Sequence, residues 1–185
     1  MQCANSYLAR CEDKQFEVYN RELLNGLFLY FIGSPDSPYN LRKGLWLDGD
    51  IGVGKTTLMS VFRDFMVTMR KGFLLTTAIG NDYSITGKLD TYVANVNGYS
   101  AKPITLCIDE LGREQIPVMH FGNKLNVMQY ILHQRYGLWQ SSGVITHVTT
   151  NLKPQDVERR YESYILDRCR QMFNTVSING KSKRG

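Results

Sequence analysis

Nine consecutive residues, Gly49-Asp50-Ile51-Gly52-Val53-Gly54-Lys55-Thr56-Thr57, have the types and spacing of a loop that holds phosphate. Gly49, Gly54, Lys55 and Thr56 fit G-x-x-x-x-G-K-[ST]. Glycines let the backbone turn with positive φ and bring its N–H groups to an anion with no Cβ in the way. An ammonium at Lys55 reaches β- and γ-phosphate oxygens, and the Thr56 hydroxyl can ligate Mg²⁺. These residues read as a nucleoside triphosphate site.

A second group lies downstream. Ile104-Thr105-Leu106-Cys107-Ile108-Asp109-Glu110 is an apolar run that ends in two carboxylates, the Walker B pattern. Asp109 is expected in the Mg²⁺ shell, and Glu110 is expected to orient and polarise an attacking water. Further on, Val144 to Asn151 reads as a strand with hydrogen-bonding side chains at its end. Asn151 at its tip is a candidate γ-phosphate or water sensor; it can equally cap the next turn, and the two roles can coexist.

The surrounding elements must bring these groups together. Leu45-Trp46-Leu47 is a short apolar strand before the loop, and Leu58, Val61, Phe62, Phe65, Met66 and Met69 recur at helical spacing after it. The loop therefore falls between a strand end and a helix N-terminus, where free N–H groups and the helix dipole favour anions. Strands near Leu45, Leu74, Leu106, Val144 and Val176, joined by helices, predict an α/β fold of three layers with a mainly parallel sheet. The second strand is expected over Phe73 to Ile79 and the last over Thr175 to Ile178.

Glu12 to Phe31 carries one apolar face (Phe16, Tyr19, Leu23, Leu24, Leu27, Phe28, Phe31) and predicts a helix packed on the core. Another helix is marked by Leu125, Met128, Ile131, Leu132 and Trp139. Pro154 and Asp156 suit the first turn of one last helix running to about Met172. Its stripe is Val157, Tyr161, Tyr164, Ile165 and Met172. Arg168 falls in the middle of that stripe and Arg160 at its edge, so each guanidinium needs either a carboxylate of its own chain or a phosphate from a neighbour. Between Gly80 and Lys102, the mix of Tyr83, Tyr92 and Tyr99 with Lys88 and Lys102 fits either a stacking surface for single-stranded nucleic acid or, as the better reading, a solvated helix and loops with packed tyrosines. Leu111 to Gln115 reads as a loop.

With 185 residues, 43% hydrophobic and 21% charged, the chain is expected to form one domain, 1–40 being a helix and linker and 41–185 the core. Its net charge of +5 suits a polyanionic partner. Cys3, Cys11, Cys107 and Cys169 have no C-x-x-C spacing, which argues against zinc and for free thiols in a reducing cytoplasm. His120, His133 and His147 have no ligand-spaced partner and read as structural. Leu23 to Ile32 is too short an apolar run to span a bilayer, and no membrane association is expected.

With those motifs in place, the chain resembles the DnaC-like and IstB-like branch of the AAA+ ATPases, which comprises replicative helicase loaders and transposition helpers. The matching segments are Gly49 to Thr57, Ile108-Asp109-Glu110-Leu111-Gly112-Arg113-Glu114, Thr149-Thr150-Asn151-Leu152, and Arg160-Tyr161 through Arg168-Cys169. The resemblance implies an AAA+-type P-loop NTPase fold without a C-terminal lid domain, ATP and Mg²⁺ as cofactors, and assembly into homo-oligomers. It implies an arginine finger at Arg168, with Arg160 as second choice, and a terminal Arg184 near the nucleotide. It further implies a phage or mobile-element ATPase of DNA replication or transposition. Such a protein binds single-stranded DNA and a replicative helicase or transposase, and uses ATP as an assembly switch. Tyr164 stands where the family repeats an arginine, and the 48 residues before Gly49 leave little room for a separate helicase-binding domain. Two other readings remain open: a nucleotide-gated adaptor without turnover, and a small nucleotide or nucleoside kinase.

Overall fold

The computed structural model describes residues 20–69, 71–93 and 104–180. Along it run α1 (Arg21–Ile32), β1 (Gly44–Asp48), α2 (Lys55–Thr68), β2 (Leu74–Thr76), α3 (Ile79–Thr86) and α4 (Asp90–Val93). There follow β3 (Leu106–Leu111), β4 (Val118–His120), β5 (Asn123–Leu125), α5 (Val127–Ser142), β6 (Thr146–Thr150), α6 (Pro154–Tyr161), α7 (Ser163–Met172) and β7 (Phe173–Ser177). Five strands form one parallel sheet in the order β2-β3-β6-β1-β7.

Period-two alternation divides the core between the two faces of this sheet. On one face Leu45, Leu47, Cys107 and Val176 meet Leu27 and Phe31 of α1 and Leu58, Met59 and Phe62 of α2. On the other, Trp46, Leu106, Ile108 and Val148 meet α5, α6 and α7 through Ile131, Leu132, Tyr161, Ile165 and Met172. The result is the expected three-layer α/β fold with a parallel sheet.

Local chemistry sets the helix ends. Asn20 Oδ1 accepts from Glu22 N at 2.8 Å to start α1, and Asn126 Oδ1 accepts from Gln129 N at 3.3 Å to start α5. The packed reading of the first helix holds from Arg21 on, with Phe28 half-exposed against Phe65; Phe16 and Tyr19 lie outside the described residues. The second strand is shorter than expected, because the chain turns into α3 at Ile79. Tyr92 is buried and Tyr83 packs against the core, as the solvated-helix reading requires, whereas Tyr99 and Lys102 lie outside the described residues.

Two segments depart from expectation. A β4–β5 hairpin stands between β3 and α5, past the loop expected over Leu111 to Gln115, and Leu125, expected in the following helix, belongs to it. The last helix is two helices, broken at Glu162 with φ +72°. That break resets the angular register, so Tyr164 is exposed and Arg168 lies half-buried at the edge of α7 facing α5, both outside the buried stripe of Ile165, Cys169 and Met172.

All five residues of β6 are buried although four are polar, and each polar side chain has a partner. His147 Nδ1 accepts from Leu45 N at 3.1 Å, with its ring among Tyr30, Phe31 and Phe73. Burial, aided by the charge of Arg135, pulls its pKa down to about 3, so the native imidazole is neutral. In the unfolded chain the same ring takes a proton near pH 6.5. The unfolded state therefore binds more protons between about pH 6.5 and 3, and stability falls with pH across that window. We expect a loss of about 1 kcal/mol per pH unit, measured by urea unfolding at pH 7 and pH 5. His147→Gln, which keeps an acceptor for Leu45 N but does not titrate, is expected to flatten this dependence. Equal slopes in the two proteins would contradict the assignment. Cys107 and Cys169 are buried free thiols, and no helix among the described residues is long and apolar enough to cross a membrane. Cys3 and Cys11 lie outside the described residues.

Candidate nucleotide site

The C-terminal ends of β1, β3 and β6 lie side by side and carry the site. β1 ends at Asp48, and the chain turns through Gly49 to Gly54 into the N-terminus of α2. Gly49, Gly52 and Gly54 have φ of +148°, +85° and +92°. A Cβ at Gly49 would lie 2.3 Å from the Ile178 carbonyl oxygen, so any other residue would push the loop off β7. Within the loop Val53 is buried and anchors it, whereas Asp50 and Ile51 face solvent.

Lys55 folds back under the loop, donating from Nζ to the Gly49 and Asp50 carbonyls at 2.6 and 2.8 Å. Burial lowers its pKa, opposed by the carboxylates of Asp50, Asp48, Glu110 and Asp109. Thr56, one residue on, donates from Oγ1 to Asp109 Oδ1 at 2.9 Å. Thr57 is half-buried beside it. The loop and the strand-end carboxylate expected to share a metal are thus in contact.

A regular strand would send Asp109 and Glu110 to opposite faces. Here the β3–β6 register runs Ile108↔Val148 and then Leu111↔Thr150, so Asp109 and Glu110 together oppose the single residue Thr149. This is a β-bulge, with Glu110 at φ +55°. Thr149 holds it: its Oγ1 donates to Asp109 Oδ1 at 2.5 Å and accepts from Glu110 N at 2.9 Å. Glu110 Oε1 in turn pairs with Arg113 Nη1 at 2.9 Å.

Asn151 is exposed immediately after β6, at the same end of the sheet. Thr150 Oγ1 donates to the Leu111 carbonyl at 2.7 Å, tying that end to the carboxylate loop. Beside the two carboxylates opens a cavity of about 410 Å³, walled by Asn81 and Ser84 of α3, by Glu110 and Arg113, and by Met119 and Met128.

The two arginines have different surroundings. Arg160 Nε donates to Glu114 Oε1 at 3.0 Å, and its Nη2 donates to the Glu114 carbonyl. Glu114 also accepts from the Tyr161 hydroxyl, and from Gly112 N at 2.8 Å. Arg160 thus has the carboxylate of its own chain that the sequence reading allowed for. Arg168 lacks, among the described residues, the carboxylate of its own chain that was one of its two expected partners. It lies between the rings of Tyr136 and Tyr164, 5.0 and 4.9 Å from their centroids, against His133 Nδ1, and among the described residues no carboxylate pairs with it. Arg184 lies outside the described residues.

The residues present fit a Mg²⁺–nucleotide. Mg²⁺ takes one or two protein oxygens and completes its octahedron with phosphate and water. Thr56 Oγ1 and Asp109 Oδ1 offer two adjacent oxygens beneath the loop. The sequence reading missed Thr149, Arg113 and Glu114; the pair of carboxylates at one strand end already signalled that a bulge had to be held there.

No protein-family model matches the chain, and no curated protein matches it in sequence. Solved structures do. The crystal structure of DnaI superposes with a TM-score of 0.62 at 19% identity, over 88% of this chain and 83% of that one. The crystal structure of the DnaC helicase loader superposes with a TM-score of 0.58 at 19% identity, over 91% of this chain and 93% of that one. At that identity the likeness is one of fold, and the chain has the parallel-sheet α/β fold of DnaI and of the DnaC helicase loader.

Proposed function

We propose that this chain is a Mg²⁺-dependent ATPase of DNA replication or transposition, a DnaC-like helicase loader that assembles with copies of itself on single-stranded DNA and uses ATP as the assembly switch. The observation that carries the reading is the contact of Thr56 with Asp109 beneath a glycine loop that cradles Lys55. Mg²⁺–ATP, when bound, would supply the phosphoryl group for transfer to water and a metal charge to stabilise it, held by Thr56 and Asp109.

The chain's own residues do the rest. Lys55 places a positive charge under the loop, and Thr56 with Asp109 holds the metal. Glu110, aimed by the bulge, takes the proton of the attacking water, and Asn151 orients that water from the neighbouring strand end. Arg168 is the better finger of the two, since the charge of Arg160 is already met by Glu114. Two aromatic faces hold the half-exposed Arg168 guanidinium between α5 and α7, and a neighbouring copy's phosphate is the partner this reading gives it.

The test is ATP turnover per subunit over a range of protein concentrations, with and without single-stranded DNA. It should rise with concentration, rise again with DNA, and fall by roughly 10³-fold in Arg168→Ala. Flat turnover, indifferent to DNA and to Arg168, would mean a self-contained site and remove the loader reading. Binding of ATP without turnover would leave the adaptor.

A further inference from the structure

Phe121 sits at the tip of the β4–β5 hairpin, 96% exposed, the most exposed of the large hydrophobic side chains described. His120 pairs with Asn123, which leaves Phe121 and Gly122 as a two-residue turn with φ of +44° and +87°. Positive φ at both positions is the geometry that favours Asn, Asp or Gly at the first of them. A phenylalanine there strains the backbone and buries nothing, so neither the turn nor the core accounts for the ring.

The residue beneath the ring is closely packed. The ring meets His120 edge-on at 4.7 Å, and His120 rests on Tyr83 of α3 at 5.8 Å. His120 Nδ1 lies 3.1 Å from the Ser84 carbonyl oxygen, and a Cβ on Gly87 would come within 2.5 Å of His120 Nε2. Charge points to one kind of partner. Gln115 to Asn126 holds no acidic residue, Lys124 is exposed opposite Met119, and exposed Lys88 follows Gly87, which abuts His120 next to the turn. An exposed aromatic ring on a hairpin that carries a lysine and no carboxylate can stack on a base with phosphates at its side.

We propose that the β4–β5 hairpin is a binding surface for single-stranded DNA, with Phe121 stacking on a base and Lys124 and Lys88 meeting the adjoining phosphates. The proposal rests on the DNA-binding reading above and names its surface. Met119 of the same hairpin and Ser84 of the helix under it wall the cavity beside Glu110, so the strand would sit one layer from the candidate ATP site.

The experiment measures binding of a fluorescein-labelled oligothymidylate of about 20 nucleotides by anisotropy, at fixed salt with Mg²⁺–ATP. Phe121→Asn suits the turn better and is expected to melt at the same or a higher temperature while binding DNA about 5- to 150-fold more weakly. Its basal ATP turnover should be unchanged and its DNA stimulation lost. Phe121→Trp is expected to keep binding, with its indole emission quenched by DNA. Lys124→Gln should reduce the slope of log affinity against log salt by about 0.7, one phosphate contact on a single strand. If the parent chain fails to bind the oligonucleotide, the DNA reading itself falls and takes this proposal with it. If the parent binds and Phe121→Asn binds equally well, the hairpin proposal alone is overturned. Loss of helicase binding by that variant, with DNA affinity intact, would likewise overturn it and make the ring a protein contact.

Discussion

Arg135→Met is expected to destabilise the fold by about 3 kcal/mol, seen as a lower urea midpoint at an unchanged slope. Arg135 is completely buried, and its partners are all neutral oxygens. Nε donates to Thr146 Oγ1 at 2.6 Å, Nη1 to the Tyr92 carbonyl at 2.9 Å, and Nη2 to the carbonyls of Ile104 and Ile145 at 3.0 and 2.8 Å. Burial pulls its pKa down to about 10, which still leaves it charged at neutral pH. One side chain thus joins α5 to β6 and to the carbonyls on either side of residues 94–103. Methionine fills similar space but takes every donor away. The Ile145 carbonyl keeps Leu106 N at 3.3 Å, whereas those of Tyr92 and Ile104 lose their guanidinium donor. An orphaned buried carbonyl costs about 1–3 kcal/mol, and removal of a desolvated charge returns part of that. Arg135→Lys keeps the charge without the planar fork and is expected to fall between. A midpoint unchanged in both variants would mean that these bonds contribute nothing net.

The second large effect is on chemistry. Glu110→Gln is expected to lower ATP turnover by roughly 10²- to 10³-fold while affinity for a fluorescent ATP analogue stays within a few fold. The amide is nearly isosteric and leaves the bulge and its Thr149 contact in place, but it cannot accept a proton. Thr149→Val should depress turnover in the same direction by a different route, because it removes both the donor to Asp109 and the acceptor for Glu110 N. Unchanged turnover in Glu110→Gln would take Glu110 out of the reaction.

Much of the frame is legible without coordinates. β1 and β3 are continuous apolar runs because both faces of a central parallel strand are covered, and that signal survives in Leu45-Trp46-Leu47 and Leu106-Cys107-Ile108. The phosphate loop is legible for a related reason: its glycines are dictated locally, by φ and by the approach of Ile178. What escapes the sequence is decided at a distance. The break at Glu162 has no glycine or proline to announce it, so one continuous helix was the natural reading, and it carried Tyr164 and Arg168 to the wrong face. The β4–β5 hairpin has strands of only three residues each, too short for alternation to show. Arg135 falls in the middle of the Met128, Ile131, Leu132 and Trp139 stripe, where a cation contradicts the pattern, and its burial is intelligible only once four acceptors from three segments meet around it.

Glu114 has a consequence beyond satisfying Arg160. Its Oε2 grips the backbone N–H of Gly112, two residues from Glu110, while its Oε1 grips Arg160 and Tyr161 at the end of α6. One carboxylate thus links the strand that carries Glu110 to the helix pair that carries Arg168. The end of α6 and the backbone at Gly112 share one side chain as their common hydrogen-bond partner.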